Sequence, residues 1–504
     1  MNHVSPHSLA EAANRDLSAV LVRSTPLTPK DRLAIPAQEM PTQDSQVRRR
    51  NVQEVALGYT PEQARLESMR CLQCKNAPCV LGCPVRIDIP GFLKAAAEGD
   101  FLGACAVIKQ NSLLPAVCGR VCPQETQCQE HCTVGKALKS VDKAVSIGRV
   151  ERYVADLERE GGHTKAPVVK PETGKKVAVI GTGPASITVA ADIRREGHQV
   201  VMFEAFHKPG GVLVYGIPEF RLPKAIVQKE IDALTAMGVE LKTNFVIGRT
   251  RKLKALMAED GFDAVFIGTG AGLPKFMNIE GENLVGVFSA NEYLTRANLM
   301  KAYDSERADT PIYRSGKVAV LGGGNVAMDA ARTAIRLGAA EVHVIYRRTE
   351  VEMPARVEEI AHAKEEGVIF HMLENAKRLI GDEHGCVRKI ECLRYELGEP
   401  DASGRRRPVE VKGSEFLRDM DAVIVAIGND SNPLIPRTTD GLKTSKWGNV
   451  IVDDTGKTSI DGVYAGGDIV LGAATVILAM GEGRRAAAAI NKYLAPPLIN
   501  NGCE

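Results

Sequence analysis

Nine of the twelve cysteines in this chain fall between Cys71 and Cys132, and only Cys386, Cys392 and Cys503 lie elsewhere. The first run reads Cys71-x2-Cys74-x4-Cys79-x3-Cys83-Pro84, and the second reads Cys118-x3-Cys122-Pro123 followed by Cys128-x3-Cys132. Thiolates are soft ligands. Short spacings let successive ones wrap a metal–sulfur cube while a following proline turns the chain away. A disulfide framework suits a small secreted domain, not one corner of a long chain. In the bacterial ferredoxin run C-x2-C-x2-C-x3-C-P the fourth cysteine serves the other cluster. By that logic Cys71, Cys74 and Cys79 share one 4Fe–4S cluster with Cys132, while Cys83 joins Cys122 and Cys128 on a second. Structural zinc is the competing reading, but zinc sites usually show two C-x2-4-C pairs parted by a longer loop. Cys105 and the three outlying cysteines read as small buried residues.

Two glycine-rich loops supply a second kind of chemistry. Gly181-Thr182-Gly183-Pro184-Ala185-Ser186 follows the apolar run KVAVI, and Glu204 ends the next apolar run. A tight turn at Gly181, close pyrophosphate approach at Gly183, a helix N-terminus and an acid for ribose hydroxyls together predict dinucleotide binding. Near the C-terminus, GVYAGGD brings Gly467 and Asp468 to a strand end ahead of a helix beginning near Thr475. Asp468 there can hydrogen-bond a ribityl chain, and a positive helix end near Thr475 would stabilise an anionic reduced flavin, so this unit is expected to hold FAD. The alternative is a structural turn with a capping aspartate. The second loop, Gly322-Gly323-Gly324-Asn325-Val326-Ala327, repeats the arrangement, but the strand after it ends in Arg347-Arg348 and carries no acid. Two guanidinium forks suit a 2′-phosphate, which favours NADP over NAD; the competing reading is a solvated basic strand end.

Certain elements must position these groups. Length, 504 residues, allows about three domains of roughly 100–200 residues each. Hydrophobic content of 44% and a net charge of only +2 fit a globular protein and give no reason to expect a nucleic-acid or membrane partner. No apolar run approaches the ~18–20 residues of a membrane helix, and the N-terminus lacks a secretory pattern, so a cytoplasmic location is expected. Residues 1–50 read as an extended arm without sustained periodicity, and 51–160 as an α-helical iron–sulfur domain. Residues 175–300 and 421–495 read as an FAD-binding domain, with an NADP-binding domain over 301–420. The run AVIVAIG at Ala422–Gly428 is taken as the return to the first unit. The expected fold is α/β, with two Rossmann-like units, one inserted in the other in the manner of disulfide oxidoreductases, after a ferredoxin-type helical domain.

The motifs CLQCKNAPCVLGCPVRIDIP, LPAVCGRVCPQETQC, GTGPASI, PGGVLVYGIPEFRLP, LGGGNVAMD, YRRTEVEMPA, GEPDASGRRRP and AGGDIV together resemble the glutamate synthase small (β) subunit family. The iron–sulfur and flavin half of dihydropyrimidine dehydrogenase is similar. Within the family, RLAIPAQEMP and NVQEVALGYTPEQA are most similar to the large subunit of NADH-dependent reduced ferredoxin:NADP oxidoreductase and to chains labelled homotetrameric NADPH glutamate synthase. The resemblance implies that Glu151, in Ile147-Gly148-Arg149-Val150-Glu151, is the fourth ligand of the second cluster; Cys118 remains its rival. It also implies that Pro209 to Pro218, with Gly211 and Gly216, lies along the flavin. The implied activity is NADPH-dependent oxidoreduction, with electrons passing between NADP(H), FAD and two 4Fe–4S clusters. Their destination would be a partner: the glutamate synthase large subunit, a small FAD/2Fe–2S subunit that binds NAD in an electron-bifurcating enzyme, or ferredoxin. The Met-Asn start gives no expectation of an N-terminal glutaminase cysteine. An assembly protein whose cofactors only hold structure is the hypothesis of a different class.

Overall fold

The computed structural model describes residues 4–163, 167–304, 306–313, 315–402 and 404–496; Cys503 lies outside these. The N-terminal 50 residues differ from the extended arm expected of them. They form helix α1 (Pro6–Leu21), capped by the Ser5 hydroxyl, and two short helices, Pro29–Ala34 and Ser45–Arg48. Only Ala13 and Leu17 of α1 are buried. They are one turn apart, which is too thin a stripe to register as periodicity. What holds α1 is helix α2 (Pro61–Met69), whose Leu66 and Met69 join Leu17 and Ile35 in a small core.

Helix α2 starts on a reciprocal cap between Thr60 and Gln63. Helices α3 (Ile89–Glu98) and α4 (Phe101–Lys109) each start on an aspartate, Asp88 and Asp100, whose carboxylate accepts an N–H from Gly91 or Gly103. Helix α5 (Pro115–Val121) lies across helix α6 (Ile147–Glu160) at van der Waals range, because a Cβ on Gly119 would stand 2.6 Å from the Arg152 nitrogen. Cys105 lies within α4 and Cys118 within α5, while the other cysteines of the block lie between α2 and α3 or between α5 and α6.

Beyond residue 175 the chain alternates strand and helix. The parallel strands are β1 (Lys176–Ile180), β2 (Gln199–Phe203), β3 (Glu240–Lys242), β4 (Ala264–Ile267), β5 (Val287–Ser289), β6 (Lys317–Leu321), β7 (Glu341–Tyr346), β8 (Ile369–Met372), β9 (Ala422–Val425) and β10 (Val463–Ala465). They make two parallel sheets, ordered β10-β4-β1-β2-β3 and β5-β9-β6-β7-β8. In both, buried apolar runs fit a sheet covered by helices on its faces. Helices α7 (Pro184–Arg195), α8 (Asn325–Arg336), α9 (Val357–Glu365) and α10 (Val476–Leu494) supply much of that cover. One unit is inserted in the other, but its limits differ from those expected. Strand β9 pairs with β5 and β6, so Ala422–Val425 belongs to the inserted sheet, and Val287–Ser289 belongs there too. The first sheet resumes only at β10. A four-residue apolar strand does not state which of two parallel sheets it will join; register with β6 does. A two-residue antiparallel ribbon, Leu273–Pro274 with Asn429–Asp430, carries the chain between the units. No helix among the described residues is long and apolar enough to cross a membrane.

Candidate functional site

Residues of both glycine loops open on one cavity of about 690 Å³. From the first unit, Gly181, Gly183, Pro184 and Ala185 line it, with Glu204, Gly211, Gly216, Gly467, Asp468 and Thr475; from the second, Asn325 and Val326 do so. Gly181 has φ +94, and a Cβ there would stand 2.5 Å from the Gly268 carbonyl oxygen. At Gly183 a Cβ would meet nothing within 4 Å and would occupy room left for a ligand. Gly211 lies directly over it, a Cβ at Gly211 standing 2.9 Å from the Gly183 Cα. Ser186, where a third glycine is common, is accommodated by a glycine elsewhere: a Cβ at Gly268 would collide with the Ser186 hydroxyl.

The acids of this wall are held in place. Glu204 accepts the Thr182 hydroxyl and the Phe206 N–H, the latter at 2.9 Å, and burial raises its pKa above the ordinary carboxylate value. Among the described residues the Asp468 carboxylate accepts one long bond, 3.3 Å, from the Ala474 N–H, and burial pushes its pKa up to about 6. Thr475 caps α10 by accepting the Leu478 N–H, so that this helix presents its positive end to the cavity. The fit to a flavin dinucleotide therefore rests on an open glycine cradle, a buried acid at the first strand end and a helix N-terminus at the second.

In the inserted unit, Gly322 turns with φ +141 beneath the Ala426 carbonyl, and Gly324 caps α8. The two arginines are not equivalent. Arg347 is exposed, whereas Arg348 is buried, with Nη2 2.8 Å from Asp401 Oδ2 and Nε donating to the Arg406 carbonyl at 2.7 Å. The expectation of a paired fork is corrected: Arg348 is taken up in fastening the hairpin of Val387–Pro400 and Arg406–Glu410 to the end of β7.

The cysteines fall into two groups. Burial pushes the Cys71 thiol up to about 11 and Cys79 to about 12, and each feels Cys74 and Cys132 as well. Cys83, Cys122, Cys128, Cys118 and Glu151 make the second group. Cys122 is raised by its hydrogen bond with Cys118 and by burial, Cys128 by burial and by Cys83, Glu151 and, from the first group, Cys79. A metal bound among them would hold them as thiolates. Glu151 is buried, its pKa pushed up to about 8 by burial alone, and among the described residues its Oε1 has no hydrogen-bond partner. A buried acid without a partner is costly unless something binds it. Cys118, by contrast, already packs its Sγ 3.7 Å from Met480 Sδ. Among the described residues no three His, Cys, Asp or Glu side chains converge as on a single ion; a four-iron cube takes its ligands at separate corners. The donor set thus fits iron–sulfur clusters.

Sequence reasoning missed three connections. Arg221 Nη1 meets Asp329 at 2.7 Å across the cavity wall, Gln127 donates to Thr475, and Arg356 enters the helical domain. Arg221 and Asp329 lie inside recognisable motifs, but their pairing across 108 positions is a tertiary fact.

Residues 48–163 match the family described as dihydropyrimidine dehydrogenase domain II, 4Fe-4S cluster, and residues 175–489 match pyridine nucleotide-disulphide oxidoreductase. The chain is 38% identical to the glutamate synthase (NADPH) small chain of Azospirillum brasilense, covering 91% of this chain and 95% of that one. It is 40% identical to the NADP(+)-dependent formate dehydrogenase subunit beta of Moorella thermoacetica, over 83% of this chain but only 60% of that relative. Among solved structures, Mycobacterium tuberculosis FprA in complex with NADPH is similar in fold, with a TM-score of 0.53 at 20% identity over 64% of this chain and 85% of that one.

Proposed function

The chain belongs to the pyridine nucleotide-disulphide oxidoreductase family, among the glutamate synthase small chains, and on that premise we propose that it passes electrons between NADP(H), FAD and two 4Fe–4S clusters toward a partner subunit. It is an NADPH-dependent iron–sulfur flavoprotein oxidoreductase. The observation that carries the detailed reading is the shared cavity: Gly183 of one nucleotide loop and Asn325 of the other face one space. The chemistry that a flavin held there would supply is two-electron exchange with a nicotinamide and one-electron exchange with iron–sulfur clusters. The chain's own residues hold and orient. Gly181, Gly183, Pro184 and Ala185 cradle the FAD pyrophosphate, Glu204 takes a ribose hydroxyl and Asp468 the ribityl chain, while Thr475 aims α10 at the ring. Gly322, Gly324, Asn325 and Val326 receive the NADP pyrophosphate, and Arg347 the 2′-phosphate. Cys71, Cys74, Cys79 and Cys132 would hold the outer cluster, and Cys83, Cys122, Cys128 and Glu151 the one nearer the flavin. Gly481 on α10 lets the Pro84 carbonyl approach closely, a Cβ there standing 3.2 Å away, which supports the short path from flavin to this second cluster.

The partner is proposed to be a glutamate synthase large subunit; relatives that are beta subunits of other NADP-linked enzymes support the general arrangement. The bifurcating alternative has no stronger support. Anaerobic titration tests the assignment. Bleaching of one FAD by NADPH with about eight irons per flavin supports it, and a protein with four irons or none refutes the two-cluster reading. Affinity purification from the native host then identifies the companion.

A further inference from the structure

The loop from Cys122 to Cys128 belongs by sequence to the second cysteine group, yet it touches both nucleotide-binding units. On one side Gln127 Nε2 donates to Thr475 Oγ1 at 3.3 Å, at the cap of α10. On the other, the buried Arg356 guanidinium donates to Gln124 Oε1 and Glu125 Oε1, both at 3.2 Å, and to the Arg120 carbonyl at 3.3 Å. The main chain of Arg356 is fixed elsewhere. Its N–H donates to Asn325 Oδ1 at 2.9 Å, and the Ala355 N–H donates to the Gly323 carbonyl at 3.2 Å. Asn325 opens α8 and lines the cavity. A single residue is therefore bound by its backbone to the second glycine loop and by its side chain to the loop between two cysteines.

The cysteine loop transmits what Gln124 feels. The Gln124 N–H donates to the Cys122 carbonyl at 2.9 Å, and its own carbonyl accepts the Gln129 N–H at 2.9 Å, so Gln124 is tied to the chain on both sides of Cys128. The surroundings are close-packed: a Cβ on Gly148 would stand 2.1 Å from Gln124 Nε2. A packed, hydrogen-bonded unit of this kind cannot shift at one end without moving the other.

We infer that Arg356 is a positioning residue through which the NADP loop and the cluster held by Cys83, Cys122 and Cys128 sense one another: nucleotide at Asn325 alters the cluster's potential, and reduction of the cluster alters nucleotide affinity. The inference rests on the proposed function for the identity of both cofactors. Its physical basis is charge. A reduced cluster carries one more negative charge and attracts the guanidinium more strongly, which draws the Arg356 backbone and the Asn325 side chain bonded to it. Coupling of this kind is reciprocal, so the factor by which nucleotide shifts the cluster must equal that by which reduction shifts nucleotide affinity.

The test uses anaerobic holoprotein and 2′-phospho-ADP-ribose, which carries the pyrophosphate and the 2′-phosphate but accepts no hydride. Cluster potentials are read by EPR-monitored titration with and without it, and its affinity is read for oxidised and reduced protein. In the wild type a roughly tenfold affinity difference is expected, matched by a shift of about 59 mV in one cluster. Arg356→Met should cut both to less than a third while iron and FAD contents persist. Glu125→Gln, at the partly exposed end of the contact, should weaken both and serves if Arg356→Met does not fold. No shift in wild type, or an equal shift in both variants, overturns the inference. A protein that NADPH does not bleach overturns the proposed function instead.

Discussion

Glu151 and Cys118 compete for one place, and the structure separates them by their surroundings. The Glu151 carboxyl is enclosed with an unbonded oxygen, while the Cys118 thiol is already in contact with Met480 and Cys122. Glu151→Ala should therefore remove or convert one cluster, lowering iron from about eight toward four per flavin, whereas Cys118→Ala should retain all of it. Iron and sulfide analysis with EPR of the reduced protein decides between them. Asp468 permits a prediction with a sign. Its folded pKa, about 6, lies above that of an exposed carboxylate, so the folded state binds its proton longer than the unfolded chain does. The group costs nothing below about pH 4, and its penalty grows to about 2–3 kcal/mol as pH rises past 6. In FAD-free protein, Asp468→Asn should stabilise by that amount at pH 7–8 and not at pH 4, as measured by urea unfolding. In the holoprotein the same change should weaken FAD retention about tenfold, since a charge-assisted hydrogen bond is lost.

At the scale of elements, Arg348 ties the strands Val387–Pro400 and Arg406–Glu410 to the end of β7, a contact between distant segments that the motif GEPDASGRRRP does not reveal. The two adjacent arginines should consequently fail in different ways. Arg347→Ala should lower kcat/KM for NADPH about 10- to 100-fold, the worth of one or two charge-assisted bonds to phosphate, and leave NADH turnover unchanged. Arg348→Ala should expose the hairpin to proteolysis and impair both nucleotides, and Asp401→Asn should reproduce it in milder form. Steady-state kinetics with both nucleotides, beside limited proteolysis, distinguish the two. Equal behaviour of the two arginines would restore the paired fork that the sequence suggests.

Over the whole molecule, a strap of residues 43–56 fastens the inserted unit to the helical domain. Arg48 is buried and donates to Glu366 Oε1 at 3.0 Å and to Glu365 at 2.6 Å, while Glu366 also takes Arg332 and Arg336. Arg332 and Arg336 in turn cover the ring of Phe220, from the first unit. Removing one partner of such a buried network costs about 3–5 kcal/mol. Arg48→Met should lower stability by that order in urea unfolding, and a loss under about 1 kcal/mol would show that the strap holds nothing together.

The sequence alone determined what depends on short-range spacing. The cysteine runs, both glycine loops, the acid at Glu204 and the turn at Asp468 were all legible, because each requires particular residue types within a few positions. The helices Pro61–Met69, Ile89–Glu98 and Phe101–Lys109 of the expected α-helical domain likewise begin on local caps, Thr60, Asp88 and Asp100. What tertiary structure decided was partnership. Strand β9 looks like any short apolar run until it pairs with β5 and β6. Arg347 and Arg348 look alike until Asp401 engages one of them, and α1 has no periodicity until Leu66 gives Leu17 a surface to cover. A local pattern reports which conformation a segment can adopt. Which distant group shields a charge or covers an apolar face is set only when the chain has closed on itself.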